Sequence, residues 1–337
     1  MSEVRTIQQA TIVEPKRIEV VETLLPPAAS GYAAIEVESC GICGSDLTMY
    51  RGAHPVIKPP IVFGHEVIGT LSEIDPAQPD FKVGDRVAFL PQVGCDECSA
   101  CRRGDHRLCR SMRLIGGQIP GGMATAVIVP IENLIHVPDS IPAPLRVLAE
   151  PLAVGVHAAG RTTVCEETNC LVMGAGPIGL LLALVLRHRG ARDVFLLDLD
   201  PRRVDIARSF GFRSDVTAPS EEFDAVFDCV GGAGAARSAL ETVRAAGAVV
   251  LVGVASPELM FSGILLQRQE RTVTGSHMYT RAEFKEALDL LGNGLIPADD
   301  RGLSLLFRRG GIADVADMLA SLDDRSADAI KIVVDFR

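Results

Sequence analysis

The stretch from Cys170 to Asp198 constrains the fold more than any other part of the sequence. It reads as a strand, a glycine turn, a helix and a second strand that ends in an acid. The residues of the turn are Gly174, Ala175, Gly176, Pro177, Ile178 and Gly179. In such a pattern the glycines permit a tight turn, a close approach of the backbone to a pyrophosphate, and packing of helix on sheet. The free N–H groups of the helix then face the phosphates, so the stretch predicts a dinucleotide-binding unit.

Asp198 also bears on which dinucleotide is bound. A carboxylate at the end of the second strand accepts hydrogen bonds from ribose hydroxyls and repels a 2′-phosphate, which favours NAD over NADP. Arg202 and Arg203 follow closely in the sequence and weaken that argument. NAD is nevertheless the predicted cofactor, and Val230 and Val252 are further candidate contacts to it.

Length, charge and cysteine usage exclude several classes of protein. At 337 residues the chain is long enough for about two domains, and its net charge of −10 argues against a nucleic-acid partner. The longest uncharged run, from Cys170 to Leu186, is too short for a membrane span. Nine cysteines without a visible signal peptide favour metal or thiol chemistry over disulfides. We therefore expect a cytoplasmic protein.

The hydrophobic pattern changes about halfway along the chain. Short alternating runs broken by prolines and glycines fill the first 150 residues and predict antiparallel strands. From about Leu152 strands and helices alternate, which predicts parallel βαβ units in a doubly wound sheet. Elements beyond Thr280 do not continue that sheet and are assigned back to the first domain. Beyond Asp198 the predicted helices are Pro201–Phe210, Gly234–Arg244, Arg281–Leu291 and Ile312–Leu322, and the predicted strands are Phe223–Phe227, Ala248–Gly253, Thr272–Ser276 and Ile330–Phe336.

Four cysteines lie in one short, charged stretch. They are Cys95, Cys98, Cys101 and Cys109. Four thiolates at this spacing can surround Zn²⁺ and leave no position open for a substrate, so the site is predicted to be structural. A ferredoxin-type iron–sulfur site fits worse, because there the last gap has three residues and proline follows, whereas here the gap has seven and Arg110 follows. His106 is expected to be a solvated loop residue.

Other metal-ligand types stand in separate turns rich in glycine or proline. Cys43 lies in Gly-Ile-Cys-Gly-Ser-Asp, His65 and Glu66 in Gly-His-Glu, and Glu150 in Glu-Pro-Leu-Ala-Val. Each of these residues is ambiguous alone, because a single cysteine or histidine is more often a packing or structural group.

Taken with the four-cysteine stretch and the glycine turn, these motifs follow the order found in zinc-dependent medium-chain dehydrogenases, which the whole chain resembles. The likeness is greatest to the polyol branch (sorbitol and threonine dehydrogenase-like), because Glu150-Pro151 stands where alcohol dehydrogenases proper carry a cysteine. It implies a GroES-like, mostly β catalytic domain at 1–151 and 280–337. A Rossmann NAD-binding domain with a doubly wound, six-stranded parallel sheet is implied at 152–279.

The resemblance further implies a catalytic zinc with one position open for an alcohol oxygen. Cys43 and His65 are two of its ligands, and the third is a carboxylate, either Glu66 or Glu150. Both carboxylates are therefore candidate catalytic residues. Arg203 matches a position that helps to hold the cofactor ribose.

A proton relay is also implied, beginning at Ser45, which matches the family's relay hydroxyl. The histidine often found three residues later is replaced by Thr48, so water is a candidate for the outer half of the relay. Asp46 is expected either to orient the His65 ring or to cap the helix turn that follows.

The predicted activity is hydride transfer between NAD and a secondary alcohol of polyol, sugar, cyclitol or amino-alcohol type. Alternatives are a carbonyl reductase working in a biosynthetic direction and a non-catalytic zinc- or nucleotide-binding regulator. The substrate pocket is expected in the cleft between the domains, near residues 45–54 and 116–122. A homodimer or homotetramer is expected, with Thr272–Ser276 as a candidate pairing strand.

Overall fold

The chain forms two units in the computed structural model, one built mainly of antiparallel strands and one of parallel strands and helices. Unit 1 takes Met1–Glu150 and Pro297–Arg337, and unit 2 takes Pro151–Ile296. The described residues are 4–253, 258–324, 326 and 329–336. Within them, no helix has the length and apolar character needed to cross a membrane.

The strands are short and many, and most helices lie in unit 2. The strands are β1 (Arg5–Glu14), β2 (Arg17–Leu25), β3 (Tyr32–Gly41), β4 (Ile61–Val62), β5 (Glu66–Glu73), β6 (Arg86–Phe89), β7 (Gln92–Val93), β8 (Arg113–Leu114), β9 (Ala126–Pro130), β10 (Leu134–His136), β11 (Asn169–Met173), β12 (Asp193–Leu197), β13 (Arg213–Asp215), β14 (Phe223–Asp228), β15 (Val243–Leu251), β16 (Thr272–Gly275), β17 (Phe307–Gly311) and β18 (Lys331–Asp335). The helices are α1 (Gly44–Tyr50), α2 (Ala149–Ala159), α3 (Pro177–His188), α4 (Pro201–Ser209), α5 (Ala233–Thr242), α6 (Gly263–Arg268), α7 (Arg281–Gly292), α8 (Asp300–Leu306) and α9 (Val315–Asp323).

Unit 1 is organised around β3. This strand pairs antiparallel with β5, with β9 over its first half and with β18 at its end. These strands are mostly buried, and the core of the unit that they help to form includes Ile35, Phe63, Phe89 and Met123. The larger sheet has the order β10-β6-β5-β3-β18-β17. The C-terminal strand therefore packs next to the segment that leads into Cys43.

Unit 2 contains a six-stranded sheet of order β13-β12-β11-β14-β15-β16, with every pair parallel. The central strand β11 is an apolar run that is buried on both faces, as helices on both sides of a sheet require. This is the order of a doubly wound dinucleotide-binding sheet, with the direction of winding reversing between β11 and β14. The predicted six-stranded, doubly wound parallel sheet is thereby confirmed.

Helix α7 lies in unit 2, whereas the sequence pattern predicts that residues from 280 onward belong to the first domain. Glu283 accepts a hydrogen bond from His157 Nδ1 at 2.9 Å, and Arg189 pairs with Glu286 at 3.0 Å. Phe284 and its apolar neighbours on the same face are buried. An amphipathic pattern shows that one face is buried but does not show which unit buries it. The chain returns to unit 1 only at Pro297.

Candidate functional site

The pairing of two strands in unit 1 brings three candidate ligands together. The register of β3 and β5 sets Gly41 opposite Glu66. The chain leaves β3 into Cys43, the N-cap of α1, and it enters β5 from His65. One ligand atom each of Cys43, His65 and Glu66 therefore lies within 4.8 Å of the other two.

This group is electron-rich, with Cys43 half-buried and the other two residues buried. His65 is 6% exposed and Glu66 is 1% exposed. Burial opposes a charged imidazole, but the charges of Asp46, Cys43 and Glu150 outweigh it and raise the pKa of His65 well above its ordinary value. Among the described residues, His65 Nδ1 and Asp46 Oδ1 have no hydrogen-bond partner and stand 3.7 Å apart. Surroundings that attract a proton this strongly also suit a divalent cation, and a thiolate, an imidazole and a carboxylate are ligands that zinc prefers.

Glu150 lies in the first turn of α2 and is 7% exposed. Its oxygens do not belong to the group of ligand atoms formed by Cys43, His65 and Glu66 in the described part of the chain. Its negative charge nevertheless contributes to the raised pKa of His65. The geometry therefore favours Glu66 as the third ligand, with Glu150 as the alternative.

The first turn of α1 carries the polar residues expected around the metal. Asp46 Oδ2 accepts a hydrogen bond from the Cys43 N–H at 2.8 Å, while Oδ1 faces His65. Asp46 thus caps the helix with one oxygen and faces the ring with the other, and its full burial raises the pKa of the carboxyl group. Ser45 is half-buried. The Thr48 hydroxyl donates to Gly44 O at 3.0 Å, so its proton is already engaged within the helix.

The segment 116–122 packs against the residues that precede His65. The Gly122 N–H donates to Gly64 O at 2.8 Å, and the Met123 N–H donates to Phe63 O at 2.9 Å. These hydrogen bonds hold the backbone next to a candidate metal ligand. That the segment lines the substrate pocket remains a prediction.

The four cysteines form a compact cluster in unit 1. Their sulfur atoms lie within 4.8 Å of one another, with Cys95 and Cys101 at 4.0 Å and Cys98 and Cys101 at 3.5 Å. Four sulfurs around zinc, each about 2.3 Å from the metal, stand about 3.8 Å apart. A hydrogen bond from the Cys101 N–H lowers the pKa of Cys98 to about 6, whereas burial raises that of Cys101 to about 12. The cluster has the size and chemistry of a tetrahedral thiolate site.

His106 lies beside this cluster. It was predicted to be a solvated loop residue, but its side chain is half-buried. Its Nε2 is 3.1 Å from Asp96 Oδ1, and these two residues form a second possible ligand group with Cys101. Cys101 belongs to both groups, so a metal ion bound by one group would take this ligand from the other group. The four-cysteine set is complete without His106 and gives the softer ligands that zinc prefers in structural sites.

Replacing Cys98 with serine is expected to remove one of about two zinc equivalents per chain and to loosen residues 94–113. That stretch contains several arginines, so trypsin should cut it much faster once the metal is lost. Zinc analysis and a trypsin time course measure both effects. Cys165→Ser is the control, because Cys165 is exposed and lies outside both ligand clusters. Unchanged zinc content in Cys98→Ser would contradict the assignment.

In unit 2 the glycine turn has the geometry that a bound pyrophosphate requires. Gly174 adopts a φ of +96°, in the left-handed region that favours glycine. A Cβ on Gly179 would lie 1.7 Å from Gly174 O, so only glycine lets α3 start this close to the strand. Gly176 is the N-cap of α3, and Pro177 and Ile178 begin its first turn. The N–H groups of that turn are the donors expected to face phosphate.

The acid after β12 is tied to this turn. Asp198 accepts hydrogen bonds from the N–H groups of Ala175 at 2.8 Å and Asp200 at 2.9 Å. The Arg203 guanidinium stands 3.5 Å from the same carboxylate, whereas Arg202 pairs with Asp200 at 2.8 Å. One of the two arginines that weakened the NAD argument is thus engaged elsewhere.

Two predicted apolar contacts lie at the carboxyl ends of neighbouring strands. Val230 follows β14 and is 62% exposed, although a Cβ on Gly174 would lie only 3.1 Å from it. Val252 follows β15 and donates its N–H to Asp228 O at 2.9 Å. Ligands of such sheets bind outside the carboxyl ends of the strands, so both residues are suitably located for a cofactor contact.

Comparison with known proteins gives matches along most of the chain. Residues 29–139 match the family model described as "Alcohol dehydrogenase GroES-like domain", and residues 177–293 match "Zinc-binding dehydrogenase". The chain is 33% identical to L-idonate 5-dehydrogenase of Vitis vinifera, with 83% of this chain and 82% of the relative covered. It is 30% identical to L-galactonate-5-dehydrogenase of Escherichia coli K12, with 96% and 97% covered.

A solved structure shares the fold over nearly the whole length. It is L-idonate 5-dehydrogenase from Escherichia coli K-12, with a TM-score of 0.89 and 27% identity. The alignment covers 99% of each chain. Both units of the present structure therefore have counterparts in that enzyme.

Proposed function

This chain belongs to the zinc-dependent medium-chain alcohol dehydrogenase family, polyol branch, and on that premise we propose that it oxidises a secondary alcohol with NAD. The proposed substrates are small polyols, sugars and sugar acids, cyclitols or amino-alcohols. Relatives named for dehydrogenation at C5 of a sugar acid support this class. The low aromatic content, 4% with no tryptophan, also favours a small polar substrate over a bulky aromatic one.

One observation carries the proposal: Cys43, His65 and Glu66 offer three ligand atoms within 4.8 Å of one another in a buried, electron-rich environment. Three protein ligands leave a zinc coordination position open, which distinguishes a catalytic site from the closed four-cysteine site. A regulator that only binds zinc or a nucleotide would need the four-cysteine cluster or the glycine turn, but not this third arrangement.

The residues of the site have separable tasks in this proposal. When bound, zinc supplies a Lewis acid that lowers the pKa of a coordinated hydroxyl, and NAD supplies the hydride acceptor. Cys43, His65 and a carboxylate hold the metal, and Asp46 orients the His65 ring. Ser45 relays the proton that the alcohol loses, because its hydroxyl oxygen accepts that proton as its own proton is donated onward. Because the Thr48 hydroxyl already donates to Gly44 O, we expect water, not Thr48, to carry that proton onward.

The carboxylates are tested by replacing each with its amide. Glu66→Gln and Glu150→Gln are both expected to lower kcat/KM by roughly tenfold or more, because each removes a negative charge that attracts or orients the cation. The variant that also releases this zinc faster to a chelator identifies the direct ligand, and Glu66 is expected to be that residue. If both variants kept wild-type turnover and zinc content, neither carboxylate would serve the metal.

The proposed activity is tested by following NADH formation over a panel of polyols, sugars, sugar acids, cyclitols and 2-amino-3-hydroxy acids. At least one secondary alcohol is expected to be oxidised, with activity lost on zinc removal and restored by zinc. The reverse reaction, with ketones and NADH, is run in parallel. A strong preference for reduction would favour the carbonyl reductase alternative, and a protein that binds zinc and NAD but turns over neither panel would favour a regulator.

A homodimer or homotetramer is proposed as the form of the enzyme. The strand β16 pairs only with β15 in the described part of the sheet, so it is an edge strand with backbone groups available for pairing. Two apolar side chains that precede it in the sequence are exposed, Met260 at 79% and Ile264 at 66%. Sedimentation at micromolar concentration should show a dimer or tetramer. A monomer would exclude this form.

A further inference from the structure

A buried lysine from the C-terminal strand contacts the metal-ligand cluster. Lys331 is the first residue of β18 and is 2% exposed. Its Nζ is paired with the carboxylate of Glu66, which is 265 positions away in sequence. It also donates to Ile42 O at 2.9 Å, directly before Cys43. One ammonium group thus joins the two segments that supply the candidate metal ligands.

The space around this pair fixes its geometry. A Cβ on Gly41 would lie 2.0 Å from Glu66 Oε2 and 2.9 Å from Lys331 Cε, so any other residue at this position would displace the ion pair. The backbone supports the same arrangement, since the Ile42 N–H donates to Ile332 O at 2.9 Å. Glu66 Oε1 accepts the hydrogen bond from Lys331. Oε2 contacts the same ammonium but receives no hydrogen bond from the described residues, so it retains lone pairs for another partner.

Stability alone does not explain the buried ion pair of Lys331 and Glu66. A buried ion pair is seldom more stable than apolar residues of the same volume, but removing one partner leaves a costly uncompensated charge. Lys331 and Glu66 are paired where both side chains are almost completely buried, so the lysine supplies the positive charge beside a group of negative donors. Ligating carboxylates are commonly held by a second hydrogen-bonding group that fixes their orientation.

We propose that Lys331 is a positioning residue, which holds the carboxylate of Glu66 in the donor set by binding it and the backbone of Ile42 together. Its ammonium contacts both oxygens of the carboxylate and fixes the orientation of the group, while lone pairs that do not face the ammonium remain for the metal. The proposal deepens the proposed function, because Glu66 is one of its metal ligands. The test measures metal release and not turnover, so the role of Lys331 and the proposed function can fail separately.

The test is a double-mutant cycle with Lys331→Met and Glu66→Gln. Zinc release to a chromogenic chelator is followed in the wild type, in both single variants and in the double variant. The release phase that is absent from Cys43→Ser identifies zinc at this site. Lys82→Met repeats the substitution at an exposed lysine and should leave the phase unchanged.

Lys331→Met is expected to speed that phase roughly tenfold or more when Glu66 is present, because an untethered carboxylate lets the metal leave more readily. In the Glu66→Gln background the same change should alter it by less than about twofold. Equal factors in both backgrounds would overturn the proposal, since the lysine would then act independently of Glu66. Unchanged or slower release in Lys331→Met would also overturn it, because the ammonium would then act at most as a charge that repels the metal. A wild type without the phase would instead overturn the proposed metal site, and this role for Lys331 with it.

The unfolding temperature is a second test of the pairing of Lys331 with Glu66, and it does not require bound metal. Lys331→Met should unfold at a lower temperature than the wild type, because Glu66 is left buried without its cation. The double variant should recover most of that loss, since the remaining amide carries no charge. If the double variant were no more stable than Lys331→Met, the partnership of the two residues would be refuted.

Discussion

Cys43→Ser is expected to give a folded protein that holds about one zinc per chain instead of two and has lost at least about 1,000-fold in kcat/KM. The residue is the N-cap of α1, and serine is a favoured N-cap, so the helix should survive the change. The serine hydroxyl is a poor substitute for a thiolate as a zinc ligand, so the metal is lost. A factor of 1,000 corresponds to about 4 kcal/mol of transition-state stabilisation, which is the scale of a lost Lewis acid.

The control for this experiment is Cys165→Ser, which changes an exposed thiol outside both ligand clusters. It should retain two zinc equivalents and full turnover. Zinc analysis measures the metal content, thermal unfolding shows that the variant is folded, and initial rates on the best substrate give kcat/KM. Retention of two zinc equivalents in Cys43→Ser would mean that this cysteine does not bind the metal.

The ligands that the register of β3 and β5 brings together could be predicted from the sequence. The motifs around Cys43 and His65 carry recognisable residue types, and the family resemblance supplies their common site. The role of Lys331 could not be predicted, because no sequence signal links a lysine at the start of a short strand to a glutamate 265 positions earlier. Only the pairing of β18 with the end of β3 makes them neighbours.

Other features could be predicted only in part. The doubly wound sheet followed from alternating strands and helices, but β13, at Arg213–Asp215, is too short to give a hydrophobic period. Helix α7 was expected and found, yet its pattern could not show that His157 and Arg189 hold it in unit 2. The sequence predicts Asp46 either as a helix cap or as a partner of His65, and the two oxygens of its carboxylate allow both.

Asp198→Asn is expected to lower kcat/KM with NAD by roughly 10- to 100-fold and to raise relative activity with NADP. Hydrogen bonds to a charged group contribute about 1.5–3 kcal/mol, and each 1.4 kcal/mol is tenfold in rate. The amide cannot accept as many hydrogen bonds from the ribose and no longer repels a 2′-phosphate. The guanidinium of Arg203, now 3.5 Å from Asp198, would be released to meet that phosphate.

Asp193→Asn is the matched control for this prediction. Asp193 lies at the start of the same strand, β12, and pairs with Arg213 at the surface. Its replacement should leave the preference for NAD within about twofold of the wild type, since exposed ion pairs contribute little. Kinetics with both cofactors at saturating alcohol measure the ratio. An unchanged ratio in Asp198→Asn, or a wild type that prefers NADP, would contradict the role given to this acid.

The most direct measurement of the central claim is the transfer of deuterium from a substrate labelled at its carbinol carbon. The alcohol that gives the fastest NADH formation is prepared with deuterium at that carbon and incubated with the enzyme and NAD, and the reduced cofactor is analysed by mass spectrometry. A zinc- and NAD-dependent alcohol dehydrogenase must give a reduced nicotinamide that carries the label, with none lost to solvent. Unlabelled NADH, with the deuterium released to water, would contradict direct hydride transfer and with it the proposed reaction.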